Sequence, residues 1–508
     1  MIAENISTYV YDRRFIYQSL ATLTTFLAIK LVRFIRRRQR RFQLFSYYGI
    51  PTPETSIFSG NMETLKSNPA RYQVDVQFSK RYGKVYGFFI GDEPNLVITD
   101  LELLRRVFFD ENQSFSKRSR LFVHTPLSLG ILFAELPRWK FMRKALSPYF
   151  GKYTMRGGSS TEFIEDSIRL MINYIDDRID ESRALGKRFE IDIQDLMKAT
   201  ALHLISEMAI KLPNVRVKEN EENVISLDSY LSGTDKGVVF LAIKYPFLTP
   251  LIEFLAEHVE HNNALALVHQ GVNKVIDETL AKLSKTGGLN DNRVQEQQAQ
   301  AIDLLIKLHH EGKLTRREVM GNVESILFAG YDTTSTTLTY VFWVLGKYSK
   351  IQEKLRSELM AHGIESKYLN QVINETMRLY PTVITFTTRL ASQTVDLGNL
   401  VIPEGTRVIY NHWLMFRNPE YWVDPDKFDP DRFHEGANIH PCAFAPFGLG
   451  ARKCLGYQLA LLEMRMIVCD ILLRYRIKLR SPLELEIISY ATSLSKPREK
   501  VMIELERL

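Results

Sequence analysis

The stretch Phe447-Gly448-Leu449-Gly450-Ala451-Arg452-Lys453-Cys454-Leu455-Gly456 delivers one cysteine, through a glycine-rich turn, to an apolar helix predicted from Leu455 to about Leu473. The local chemistry suits a thiolate. Gly448 and Gly450 permit a tight turn. Backbone N–H groups after Cys454 can point at sulfur, and a helix N-terminus favours negative charge. Arg452 adds a cation two residues away. Cys469, among Met466, Ile467 and Val468, reads instead as a core cysteine, and Cys442 as a bystander. With 3 cysteines and no CxxC spacing, a disulfide scaffold and a thiolate-built zinc site are excluded. A reducing, cytosol-facing body is expected.

The 508 residues carry 66 Lys plus Arg against 59 Asp plus Glu, a net charge of +7. Nine of the basic residues (Arg13, Arg14, Lys30, Arg33, Arg36, Arg37, Arg38, Arg40, Arg41) and only two acids, Glu4 and Asp12, lie within residues 1–41. The remainder is formally neutral, which argues against a nucleic-acid partner. Hydrophobic content of 45% with 25% charged residues excludes a disordered or collagen-like chain. Residues 15–35 form an apolar run followed by the basic Arg36–Arg41, the pattern of a single-pass anchor whose basic flank stays in the cytosol. An amphipathic surface helix is the competing reading. Pro51-Thr52-Pro53 then reads as a stiff link. The expected division is 1–41 anchor and basic flank, 42–60 linker, and 61–508 catalytic domain.

The body reads as mainly α with small β-sheets. Lys84–Ile90 and Asn95–Thr99 look like strands, Leu136 to about Tyr348 is mostly helical, and 286–300 is expected as a surface insertion. More strands are expected over Arg389–Tyr410, with a last hairpin over Leu483–Leu505. Thr315-Arg316-Arg317-Glu318 is a capping box opening a helix to about Lys347. Its middle holds Ala329-Gly330-Tyr331-Asp332-Thr333-Thr334. A glycine there suggests close approach by something bulky, or simply a helix crossing.

The cysteine loop, Phe-x-x-Gly-x-Arg-x-Cys-x-Gly, resembles the haem-ligand loop of the cytochrome P-450 family. By average residue usage such a match arises by chance on the order of once in ten thousand chains. Glu375-Thr376-Met377-Arg378 resembles the family's Glu-x-x-Arg helix, and Pro430-Asp431-Arg432-Phe433 its Pro-Glu-Arg-Phe segment, with Asp for Glu. Trp139-Lys140-Phe141-Met142-Arg143 resembles its Trp-x-x-x-Arg helix. The resemblance covers Gly49 to the C-terminus and implies the cytochrome P-450 fold behind an N-terminal transmembrane helix. It implies haem b, with Cys454 as the iron ligand and Phe447 and Gly456 as loop positions against the cofactor. Trp139, Arg143 and Arg452 would hold propionates, with Arg118 and Arg389 as further candidates. Glu375, Arg378 and Arg432 would form a buried network locking the loop.

For function the resemblance implies a monooxygenase of the microsomal, drug- and steroid-metabolising type, placed in the endoplasmic reticulum membrane. Electrons would come from NADPH through NADPH-cytochrome P-450 reductase, with cytochrome b5 as a further candidate. Thr333 would hydrogen-bond bound oxygen, and Asp332 would relay protons from water, at a helix bulge where Ala329 and Gly330 leave room. Lys140 and Lys144 would face the electron donor, or only solvent. The pocket is expected around Leu121, Phe122, Phe328, Ala329, 383–386 and 492–494, and the apolar run 238–252 could form a lid. A peroxide-rearranging isomerase or dehydratase, or a haem-binding sensor, would have no use for the acid–alcohol pair. No GxGxxG fingerprint opens a βα unit, so no nicotinamide site is expected.

Overall fold

The computed structural model describes residues 2–118, 126–151, 159–207, 264–285, 301–489 and 494–508. The lid candidate, the 286–300 insertion, Leu121, Phe122, Thr492 and Ser493 lie outside the described residues. A single helix, α1 (Ile2–Phe42), runs through the apolar and basic segments. The span from Tyr17 to Tyr47 is long and apolar enough to cross a membrane by length and composition. The segment expected as a link packs on the body. Phe45 is fully buried, Ile50 is buried, and the Pro51 carbonyl accepts from Gly87 N–H at 2.9 Å.

Gly87 sits in β1 (Val85–Ile90), which pairs with β2 (Glu93–Ile98) in the register Val85↔Ile98. A side chain at 87 would run into the Phe45 ring. Along β1 the alternation sends Phe88 and Phe89 to opposite faces, each into its own buried apolar cluster. Both faces of this sheet are therefore covered.

The helical half starts with α2 (Arg138–Phe150) and α3 (Ser159–Ala184). The short β3 (Glu190–Asp192), α4 (Ile193–Ile205) and α5 (Ala264–Lys285) follow. Then comes α6, Arg316–Lys347, with 32 residues or about 48 Å. The capping box forms as expected: Glu318 N–H donates to Thr315 Oγ1 at 3.2 Å, and Thr315 N–H to Glu318 Oε2 at 2.8 Å. Glu318 also takes a bidentate pair from Arg138, which ties α2 to the start of α6. Helix α6 is buried along most of its length because helices pack on it from several sides.

Beyond α7 (Lys367–Leu379), β4 (Thr388–Leu390), β5 (Val395–Asp396), β6 (Val401–Ile402) and β7 (Arg407–Tyr410) follow. β7 runs parallel to β2 and antiparallel to β4, completing a sheet ordered β1-β2-β7-β4, while β5 and β6 form a separate ribbon. Helix α8 (Tyr457–Arg474) leads into β8 (Tyr475–Leu479), β9 (Ile487–Ser489), β10 (Ser495–Pro497) and β11 (Met502–Arg507). The expected last hairpin resolves into two sheets. β9 pairs with β10, whereas β11 lies between β8 and β3. A three-residue strand such as β3 is too short to show a period in sequence.

Gly321 and Gly130 mark where the segment before α2 crosses α6. A Cβ at 321 would strike the Pro126 carbonyl, and one at 130 would strike the Gly321 carbonyl. Backbone cannot yield as a flexible side chain can. Gly321→Ala is therefore expected to lower stability by about 1–3 kcal/mol in thermal or denaturant melts of the full chain. Gly312→Ala is a weaker control, since its Cβ meets open space and only its positive φ of 69° is strained.

Candidate functional site

The cysteine loop is closed by its own backbone. Cys454 N–H donates to the Phe447 carbonyl at 2.9 Å. Gly448 and Gly450 take φ of 78° and 64°, and a Cβ at 450 would collide with the Phe108 carbonyl. Only glycine fits that contact. Gly456 caps α8, and its N–H donates to the Cys454 sulfur. The thiol is accessible to solvent yet surrounded by protein, the situation of a group facing an interior space. Burial raises its pKa. The Gly456 N–H, Arg143, Arg118 and Lys453 oppose that rise without overcoming it. The sequence pattern points to a ready thiolate. In the folded chain desolvation wins, so a cation bound at sulfur would be needed to hold the charge.

Four arginines converge around this loop. Arg452 donates to the Ser116 and Ala134 carbonyls at 3.1 and 3.0 Å and lies 4.3 Å over the Trp139 ring. Arg118 donates to the Leu132 and Arg452 carbonyls at 3.2 and 3.3 Å. Arg143, one turn beyond Trp139 on α2, reaches the Lys453 carbonyl at 2.8 Å. Arg389 donates to Thr388 and Leu449 carbonyls at 2.8 and 2.5 Å and so pegs the loop itself. No carboxylate pairs with any of the four among the described residues. Arg452 Nη1 and Arg118 Nε are buried without any partner. Burial and mutual repulsion bring Arg452 and Arg389 down to about 9, and burial brings Arg118 down to about 10. Unneutralised buried guanidinium groups are costly. Orphaned donors beside an accessible thiol fit a group carrying both a metal and carboxylates, as haem does.

Helix α6 carries the second accessible patch. Phe328 and Tyr331 are buried, whereas Ala329 is exposed and Asp332 and Thr333 are half-exposed, all in the middle of a core helix. Such exposure inside a core means an internal space. The helix is continuously α here, so the expected bulge is not seen. Gly330 does not leave room for oxygen either: its Cβ would lie 2.7 Å from Ile205 of α4. It relieves a helix crossing, and the opening belongs to Ala329. Thr333 Oγ1 donates back to the Ala329 carbonyl at 2.6 Å.

Behind the loop, Glu375 and Arg378 of α7 form a fully buried bidentate pair at 2.7 and 2.8 Å. Arg378 also donates to the Phe416, Pro425 and Lys427 carbonyls, and Glu375 accepts from Asp429 N–H at 2.8 Å. Arg432 Nε lies 3.4 Å from Glu375, and its fork donates to the Val423 and Asp424 carbonyls. The three residues thus come together and clamp the segment 416–433. Trp422, Phe433 and Phe444 then meet as a mutual cluster of tilted and edge-on rings beside the segment that leads to the loop. Two contributors are not evident from sequence: Phe108, whose carbonyl lies under Gly450, and His412. His412 bridges the Ile384 and Ala445 carbonyls at 3.1 and 3.2 Å, and burial depresses its pKa to about 4.

The chain belongs to the cytochrome P-450 family, whose model, Cytochrome P-450, matches residues 50–505. It is similar to cytochrome P-450 3A6 of Oryctolagus cuniculus, 25% identical over 91% of this chain and 92% of the relative. Cytochrome P-450 3A5 of Homo sapiens is 25% identical over 94% and 95%. Cytochrome P-450 3A40 of Oryzias latipes is 28% identical over 85% and 86%. The protein is a haem-thiolate monooxygenase, an oxidoreductase acting on lipophilic molecules.

Arg378→Ala would leave Glu375 buried and unpaired, a loss of about 3–5 kcal/mol. Haem content per chain, read from the Soret band, is expected to collapse. For His412 the folded pKa lies below the unfolded value, so its contribution is complete above about 6.5 and is lost as pH falls toward about 4. The shift corresponds to about 3 kcal/mol. His412→Asn should flatten the acid limb of the stability profile between those pH values.

Proposed function

We propose that the chain is a single-pass protein of the endoplasmic reticulum membrane with its catalytic body in the cytosol. It inserts one oxygen atom into a steroid, fatty acid or xenobiotic, with electrons from NADPH through NADPH-cytochrome P-450 reductase, assisted by cytochrome b5. The drug- and steroid-metabolising branch is supported by Ala329–Thr334 and by Leu146-Ser147-Pro148-Tyr149-Phe150, together with the coverage of the 3A relatives. The division into anchor 1–41, linker 42–60 and catalytic domain 61–508 belongs to the same reading. Exposed Lys140 and Lys144 on the outer face of α2 suit an acidic electron donor.

The observation that carries the reading is the acid–alcohol pair beside the exposed Ala329, in the otherwise buried middle of a core helix. Haem held by the Cys454 sulfur would supply oxygen activation, and a thiolate ligand would favour O–O cleavage. The chain's own residues do the rest. Arg452, Arg118, Arg143 and Trp139 would hold the propionates, with Arg389 fixing the loop from behind. The Gly456 N–H and the nearby cations favour negative charge on sulfur, and a metal bound there would complete the stabilisation. Phe447 packs 6.0 Å from Tyr457 and shields the thiolate side. On α6 the Thr333 proton rests on the Ala329 carbonyl. To pass a proton onward, Thr333 must release that carbonyl and accept from water oriented by Asp332. Phe328, Ala329, Phe386 and Leu494 line the space for an apolar substrate, which excludes other water.

With reductase and NADPH, oxygen uptake should match product formed. Asp332→Asn is expected to slow turnover roughly 100-fold, and Thr333→Ala to divert consumed oxygen to hydrogen peroxide while haem content is unchanged. Conversion of a hydroperoxide at full rate without NADPH would contradict the proposal and favour an isomerase.

A further inference from the structure

The basic run after the apolar stretch of α1 divides into two faces. Phe34 and Ile35 are half-buried, Arg38 is wholly buried, Arg41 and Phe42 are half-buried and Phe45 is buried, a helical spacing of three and four. Arg33, Arg36 and Arg40 occupy the opposite, exposed face. The buried face is firmly held. Arg38 Nη1 donates to the Ile57 carbonyl at 3.1 Å and to the Phe58 carbonyl, and its guanidinium stacks 4.5 Å over Phe34. The Phe42 and Phe45 rings meet Phe89 of β1 at 5.0 and 5.1 Å. Arg37 reaches Asp92 at 3.8 Å from the side. A stop-transfer flank needs only exposed positive charge. A fully buried arginine bonded to backbone carbonyls is a mounting.

We infer that Arg38 clamps α1 to the turn at Ile57 and Phe58, seating that turn in the headgroup layer of an anionic bilayer and fixing the orientation of the catalytic body. The inference rests on the reading of α1 as a membrane anchor. The depth follows from helix geometry. The apolar run of residues 15–35 rises about 31 Å, close to the hydrocarbon thickness of about 30 Å. Arg38 lies three residues further, about 4.5 Å beyond the hydrocarbon edge. The headgroup layer extends roughly 5–8 Å on each side, so the turn that Arg38 grips falls within it. Phe58 is 41% exposed, and an aromatic ring is at home at that depth. The outward face of Arg33, Arg36 and Arg40 is left for lipid phosphates. Lysine is a poor replacement for Arg38, because an ammonium has no planar face to lay on the Phe34 ring while it bonds the two carbonyls.

The test uses full-length holoprotein in phosphatidylcholine–phosphatidylserine vesicles, with a nitroxide on Phe58→Cys. Power saturation compares collisions with lipid-soluble oxygen and with a water-soluble nickel chelate. The label is expected to favour oxygen by several-fold. Adding Arg38→Ala should reverse that preference while the protein still sediments with vesicles and keeps its haem absorption. A label equally open to nickel with Arg38 intact, or one unaffected by Arg38→Ala, overturns the clamp. If Arg38→Ala abolishes haem loading, Arg38→Lys replaces it, with the same expected reversal. Failure of the unsubstituted chain to sediment with vesicles overturns the anchor reading instead.

Discussion

Four guanidinium groups, Arg389 and Arg452 buried and Arg118 and Arg143 half-buried, meet around Cys454 with no carboxylate paired to them among the described residues, and the rest of the catalytic body depends on how that charge is handled. Arg118, Arg143, Arg389 and Arg452 each donate to backbone carbonyls of the loop or of the segments beside it. Two donors, Arg452 Nη1 and Arg118 Nε, stay unsatisfied. Such a cluster of cations is stabilised when an anion completes the set. The cluster is thus both a scaffold for the cysteine loop and an incomplete site. Haem would answer both needs, its propionates meeting the orphaned donors and its metal the sulfur that desolvation otherwise keeps protonated.

The remaining architecture keeps the loop from relaxing away from that cluster. On one side, Gly450 lets the loop press against Phe108, and Arg389 pins Leu449. On the other, the Glu375–Arg378 pair holds the 416–433 segment, and the aromatic cluster of Trp422, Phe433 and Phe444 carries that rigidity to the loop's approach. Helix α6 crosses behind and is buried along most of its middle apart from the stretch around Ala329, so a rigid rod bounds one side of the reacting space. Even the membrane end follows this logic, since Arg38 makes the entry of the chain into the body a packed contact.

What was legible in sequence was what is local. The glycine and cysteine spacing, the Thr315–Glu318 capping box and the strands at 84–90 and 95–99 each depend on residues within a turn or two of one another. The family resemblance then supplied long-range pairings such as Glu375, Arg378 and Arg432. What sequence did not show depends on partners far along the chain. Gly330 looked like an opening, but Ile205, more than a hundred residues earlier, fills the space. Arg38 looked like one more solvated charge until the Ile57 and Phe58 carbonyls were placed beneath it. The Cys454 thiol looked preset as a thiolate because local donors are visible in sequence and desolvation is not.

The central claim is that Cys454, held in this arginine cradle, is the axial ligand of a bound haem. The most direct measurement is the absorption spectrum of the reduced protein under carbon monoxide, with and without Cys454→Ser. A strongly red-shifted Soret band that disappears in Cys454→Ser, while Cys442→Ser and Cys469→Ser retain it, is the result predicted. Persistence of that band in Cys454→Ser would contradict the account.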